Sequence, residues 1–183
     1  MRVITGIYKG RHFDVPRSFK ARPTTDFAKE NLFNVLTGYM DFEGIRALDL
    51  FAGTGSISIE LLSRGASQVV SVEADRDHAR FIRQCMEKLG THNHQLIKGD
   101  VFRFLKQCHL QFDFIFADPP YALPNLAELP EQILAHHLLA ADGLSVVEHG
   151  KDYDFSAHPC FISHRAYGSV NFSLFKAMEK TAE

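Results

Sequence analysis

Long apolar runs are missing from this 183-residue sequence. Nothing approaches the roughly 18 consecutive apolar residues of a membrane-spanning helix, and the opening Met1-Arg2-Val3-Ile4-Thr5-Gly6 is too polar for a secretory leader. A soluble, cytoplasmic protein with no membrane partner is expected. Cysteine is scarce too: Cys85, Cys108 and Cys160 are far apart and lack a C-x-x-C spacing, which argues against a disulfide framework, a zinc site or redox chemistry. The pairs His92/His94 and His136/His137 have no cysteine or acid at ligand spacing, so no metal is expected. Internal repeats and low-complexity tracts are also absent.

Net charge is small, at −2, and alone argues against a nucleic-acid partner, but its distribution argues the other way. Residues 1–22 carry Arg2, Lys9, Arg11, Arg17, Lys20 and Arg22 against Asp14 alone, a net of +5, while the rest of the chain nets −7. A basic segment on an acidic body suits a polyanion, and Lys9, Arg11 and Arg22 are its candidate phosphate contacts; an ordinary solvated hairpin would carry the same charges. Arg22 could instead help close a cofactor pocket.

What is present, 45% hydrophobic and 23% charged residues, fits one globular domain with a small appendage. "RVITGIYKGRHFDVP", with Gly6 and Gly10 as turn points, predicts a short hairpin. "RPTTDFAKENLFNVL" predicts a helix over about 25–37, capped by Thr24 or Thr25, with Phe27, Leu32, Val35 and Leu36 on its apolar face. From residue 45 short apolar runs alternate with amphipathic stretches. Strands are predicted at Ile45–Leu50, Val69–Glu73, Gln95–Lys98, Phe112–Ala117 and Gly143–Glu148, and helices near 56–65, 75–89, 101–108 and 126–140. This is an α/β pattern with a mostly parallel sheet, closed by an antiparallel hairpin turning at Tyr167-Gly168-Ser169. The expected division is a basic hairpin-and-helix extension over residues 1–40 and a ligand-binding α/β domain over 41–183.

In open parallel sheets ligands bind at the carboxyl ends of the strands, and four candidates fall there. In "ALDLFAGTGSISIELL", Asp49 ends the first strand and Gly53-Thr54-Gly55 turn tightly into a helix, letting backbone approach a ligand. Ser58 stands where a dinucleotide fingerprint has its third glycine. Glu73 ends the second strand, 20 residues past Gly53, where an acid can accept from ribose hydroxyls, or simply sit exposed beside the helix cap Asp75. Asp100 can accept from an adenine amine or cap a helix. "IFADPPY" ends the fourth strand: Pro119 and Pro120 stiffen the loop and withhold donors, Asp118 adds a carboxylate and Tyr121 a flat ring, a set suited to gripping and stacking an amine-bearing base.

"DLFAGTG" with "DPPY" resembles the class I S-adenosylmethionine-dependent methyltransferases that modify exocyclic amines of nucleobases, and "RVITGIYKGR" with "RPTTDFAKENLFN" resembles the RsmD family of 16S ribosomal RNA (guanine-N2)-methyltransferases. The resemblance covers nearly the whole chain. It implies a Rossmann-like, seven-stranded sheet, S-adenosylmethionine as cofactor, and a guanine in small-subunit ribosomal RNA, free or within the subunit, as target. It also implies that Asp49, Phe51, Ala52, Gly53, Thr54 and Gly55 form the cofactor loop. Glu73 would be the ribose acid, Asp100 the adenine contact, and Asp118, Pro119, Pro120 and Tyr121 the catalytic loop. Many relatives carry phenylalanine in place of Tyr121, and some serine in place of Thr54. "DPPY" alone also fits a DNA adenine or cytosine amine methyltransferase. A nicotinamide-dependent oxidoreductase is disfavoured by Ser58, and a non-catalytic assembly protein by the intact loops.

Overall fold

The computed structural model describes residues 1–20 and 24–178. Seven strands form one sheet in the order β3-β2-β1-β4-β5-β7-β6. The parallel strands are β1 (Arg46–Leu50), β2 (Gln68–Glu73), β3 (His94–Lys98), β4 (Phe112–Ala117) and β5 (Leu139–His149). β7 (Val170–Lys176) runs antiparallel to β5, and β6 (Phe161–Tyr167) pairs antiparallel with β7 as the edge strand. The expected mostly parallel sheet with a closing antiparallel hairpin is therefore the observed one.

The central strands are apolar on both faces because helices cover both. One face carries Ala47, Phe114, Phe116, Val146 and Phe172 against α1 (Asp26–Leu36), α2 (Ser56–Ser63) and α3 (Arg76–Leu89). The other carries Leu48, Leu50, Ile115, Ala117 and Val147 against α4 (Val101–Gln107) and α5 (Leu129–Ala135). Side chains alternate along a strand, so Asp49, Asp118 and Glu148 fall on the α1–α3 face at the carboxyl ends of β1, β4 and β5. Val3 and Phe13 of the N-terminal segment and Leu32 and Phe33 of α1 are buried in the core of that same face, so the extension and the sheet share one hydrophobic cluster.

Two local expectations are revised, while the predicted short N-terminal hairpin is present: Arg2 bridges to His12, the Val3 amide donates to the Arg11 carbonyl and the Phe13 amide to the Met1 carbonyl. The backbone donors that would extend it go to α2 instead: Ile4 and Thr5 to the Glu60 carboxylate, Ile7 to the Ser63 carbonyl and Tyr8 to the Ser63 hydroxyl. Phe27 is 66% exposed, because Ala28, Lys29, Leu32, Phe33 and Leu36 make the buried stripe of α1. The helix expected over 126–140 is a 3-10 turn at Leu126–Glu128 followed by α5, which ends before the left-handed His137 (φ 54°), so β5 begins earlier than anticipated. Among the described residues no helix is long and apolar enough to cross a membrane.

Candidate active site

The loop after β1 is tied down from beneath. Asp49 is 1% exposed, and its Oδ2 accepts from the Ser58 amide at 3.1 Å and the Ser58 hydroxyl at 2.6 Å. The Ser58 hydroxyl meets that of Ser71 at 2.6 Å, and Ser71 meets His94 Nε2 at 2.7 Å, so one buried polar chain joins β1, α2, β2 and β3. Burial pushes the Asp49 carboxyl up to about 7 despite the Ser58 hydrogen bonds, and burial drives His94 down to about 4. Ser58, met in the sequence only as a missing glycine, is thus the anchor of the loop.

Above this chain the backbone turns through left-handed conformations at Phe51 (φ 59°), Gly53 (φ 58°) and Gly55 (φ 77°). A Cβ on Gly55 would stand 3.1 Å from Ile82 of α3, so helix and loop approach only because the residue is glycine. Glu73 is 9% exposed; Oε2 accepts the Gly53 amide at 2.6 Å and Oε1 the Asp75 amide at 2.8 Å. Each carboxylate oxygen has a second lone pair, which leaves Glu73 able to accept from a ribose. Asp75 caps α3, accepting from the amides of Asp77 and His78. Asp100 is exposed and caps α4 through Oδ1, accepting the Arg103 amide at 2.9 Å. Phe51 and Phe102 meet edge-to-face, at 6.4 Å between ring centroids, beside the loop. A glycine turn, an acid with spare acceptor capacity and an aromatic wall fit an adenosine-bearing donor.

The loop after β4 begins where the Asp118 amide donates to the Leu50 carbonyl at 3.2 Å, which sets it directly beside the glycine loop. Pro119 is buried, Pro120 exposed, and Tyr121 46% exposed with its ring over Gly150, 3.6 Å from where a Cβ would stand. The Tyr121 hydroxyl donates to Glu148 Oε1 at 3.2 Å. Glu148, at the end of β5, is 6% exposed. Burial, then the charges of Glu148 and Asp49, lift the Asp118 carboxyl well above the usual carboxylate range. Burial lifts Glu148 to about 7, against the hydrogen bond from Tyr121. No motif pointed to Glu148; the available signal was an acid closing the last parallel strand, "LSVVEH".

A second charged group joins the N-terminal segment to this architecture. Lys29 and Glu60 are 1% and 0% exposed, with Nζ 3.6 Å from Oε2. Lys29 also donates to the Arg2 carbonyl at 2.6 Å and the Ser56 hydroxyl at 3.0 Å, while Arg64 donates to Glu60 at 3.0 Å and lies over the Phe33 ring. The segment runs down α2 and returns along α3. Lys9 and Arg11 are exposed, and Arg11 donates to the Lys88 carbonyl in the last turn of α3. They therefore lie toward the amino edge of the sheet, separated from the Asp118 loop by about 20 Å of helix. Lys20 lies near Asp75, at the start of α3 and the carboxyl edge. Arg22 falls outside the described residues.

Residues 1–176 match the family model described as conserved hypothetical protein 95. "Ribosomal RNA small subunit methyltransferase D" of Haemophilus influenzae is 38% identical over 157 residues, covering 83% of this chain and 80% of that protein. A solved structure of a hypothetical protein from Thermus thermophilus superposes with a TM-score of 0.84 at 30% identity, over 97% of this chain and 99% of that one. The more distant SMU.776, solved in complex with SAH, shares the fold with a TM-score of 0.64 at 20% identity, over 80% of this chain and 49% of its own.

Proposed function

The chain belongs to the RsmD-like family of S-adenosylmethionine-dependent methyltransferases, with the class I fold, and on that premise we propose that it methylates the exocyclic N2 amine of a guanine in small-subunit ribosomal RNA. The observation that carries this reading is the Asp118-Pro119-Pro120-Tyr121 loop, stiff, acceptor-rich and faced by a half-exposed ring, set against the glycine loop by the Asp118–Leu50 hydrogen bond. The relative from Haemophilus influenzae bears a small-subunit RNA methyltransferase name, which supports the choice of RNA. Cytoplasmic residence accords with that substrate.

When bound, S-adenosylmethionine supplies a methyl group on a positively charged sulfur. Asp49, Phe51, Ala52, Gly53, Thr54 and Gly55 would shape its cradle, Glu73 would accept from its ribose and Asp100 from its adenine. Guanine N2 is a poor nucleophile because its lone pair is delocalised into the ring. Asp118 and the Pro119 carbonyl accept its two N–H groups and draw the nitrogen toward tetrahedral geometry, while Tyr121 stacks on the base and offsets part of the cost of leaving the RNA stack. Lys9 and Arg11 contact phosphates a helix length away, where they position RNA without reading its sequence.

The test is methyl transfer from labelled S-adenosylmethionine to unmodified small ribosomal subunits, naked ribosomal RNA and duplex DNA in parallel, followed by nucleoside identification. N2-methylguanosine from subunit or RNA is expected. N6-methyladenine from DNA would overturn the substrate, and no transfer would overturn the activity.

A further inference from the structure

Glu148 combines three constraints. It ends β5 beside the end of β4, where Ala117 pairs with Val147, so its carboxyl neighbours that of Asp118 on one face of the sheet. Its Oε1 is held by the Tyr121 hydroxyl at 3.2 Å. Its Oε2 is buried and, among the described residues, has no hydrogen-bond partner. Two carboxyls side by side in a buried site do not both ionise readily, because each charge raises the cost of the other. One proton between them resolves both difficulties: an Asp118 O–H supplies the partner that Oε2 lacks and reduces two charges to one. Tyr121 decides where the charge rests, since its hydroxyl stabilises an anionic Glu148.

Building on the amine-methyltransferase reading, we propose that Glu148 is the positioning residue of this site, holding its negative charge and receiving the reaction's proton through Asp118. In the resting pair Asp118 is the neutral acid. Its O–H points to Glu148, and its carbonyl oxygen is free to accept the guanine amine. On transfer the N2 lone pair forms the new N–C bond and the C–S electrons remain on sulfur. One N2 proton passes to the carbonyl oxygen of Asp118, and the proton Asp118 already held passes to Glu148 Oε2. The pair ends uncharged and the methylated amine neutral. A lone buried carboxylate would meet the positively charged donor equally well, but would lack the tyrosine-anchored neighbour that fixes its orientation. The titratable groups bearing on the pair are Tyr121, from the loop after β4, and Asp49, at the end of β1; Phe172 of β7, opposite Glu148, carries no charge.

E148Q keeps the shape and the acceptor for Tyr121 but cannot share a proton as an acid. Carboxyl carbon NMR titration of the full-length protein, without donor or RNA, is compared for wild type, E148Q and D118N, the last to assign Asp118. Two coupled carboxyl titrations are expected in wild type, the first near pH 7, with Asp118 titrating at least about one pH unit lower in E148Q. The acid limb of the pH–rate profile, which in wild type follows the first titration, should in E148Q follow that of Asp118, at unchanged KM for RNA. An Asp118 titration identical in wild type and E148Q overturns the proposal. Y121F, which deletes only one hydroxyl, is the second variant and should raise the first titration; no change in it also counts against the pair. Should wild type methylate no nucleic acid, the functional reading fails, while the NMR titration still decides the proton sharing.

Discussion

Two clusters of buried charge lie on the α1–α3 face of the sheet and are resolved in opposite ways. Around Glu60, Lys29 and Arg64 supply cations, and the Ile4 and Thr5 amides take up carboxylate lone pairs. Around Glu148 a second acid faces the first, and one carboxylate oxygen is unpartnered among the described residues. The first cluster welds segment 1–20 and α1 to the helix that follows the glycine loop. The second sets two acids against each other beside the glycine loop. A satisfied buried network specifies position, and an unsatisfied one near neutral pH specifies chemistry.

The largest effect expected from breaking this contrast is on the satisfied side. Glu60→Ala strands Lys29 and two backbone amides, and should cost about 3–5 kcal/mol in urea unfolding, with new protease cleavage within residues 1–20. A loss below about 1 kcal/mol would show that the cluster does not hold the segment. On the unsatisfied side, Asp118→Ala should lower the methyl-transfer rate about 10²-fold or more while calorimetric donor affinity stays near wild type. Near-normal turnover would remove Asp118 from its role.

A smaller effect follows from pH. Asp49, Asp118 and Glu148 all have carboxyls raised in the folded state. Above about pH 4 the unfolded chain releases protons that these folded groups keep, so folding is favoured by them at the low end of the window, and that contribution is lost as pH rises through about 7. Denaturant melts from pH 5.5 to 8 should show stability falling, less steeply in E148Q; equal slopes would mean that Glu148 carries no part of the shift. The smallest effect concerns the amino edge. Replacing Lys9 and Arg11 by alanine should reduce the log–log salt slope of RNA binding by up to about 2, one per phosphate contact, and an unchanged slope would return both to ordinary solvated surface.

Much of the fold was legible because its signals are local. Apolar runs of strand length separated by amphipathic stretches gave the five parallel strands, and Tyr167-Gly168-Ser169 gave the closing hairpin. The two candidate loops stood out because glycine and proline restrict backbone in recognisable ways, and the Asp118–Leu50 hydrogen bond places them side by side. The reach of the N-terminal hairpin was not legible, for the opposite reason: the donors that would extend its pairing are claimed by Glu60 and Ser63, more than 50 residues away. Phe27 was misplaced for a different reason: at about 100° per residue it lies opposite the stripe of Ala28, Lys29, Leu32, Phe33 and Leu36, so the period itself turns it outward. Glu148 was passed over because it belongs to no motif, and Ser58 was weighed only against the glycine of a dinucleotide fingerprint; each acquires meaning from a neighbour on another element.

By itself, then, the sequence determined which segments are strands and helices, where the chain turns, and which loops are the candidates for a cofactor and a planar amine, because these depend on side-chain period and backbone restriction within a few residues. Only the tertiary structure decided that Lys29 and Glu60 are neutralised inside the protein while Asp118 and Glu148 confront each other. The energy of a buried charge depends on which other charges share its low-dielectric surroundings, and that is set by strand order rather than by position along the chain.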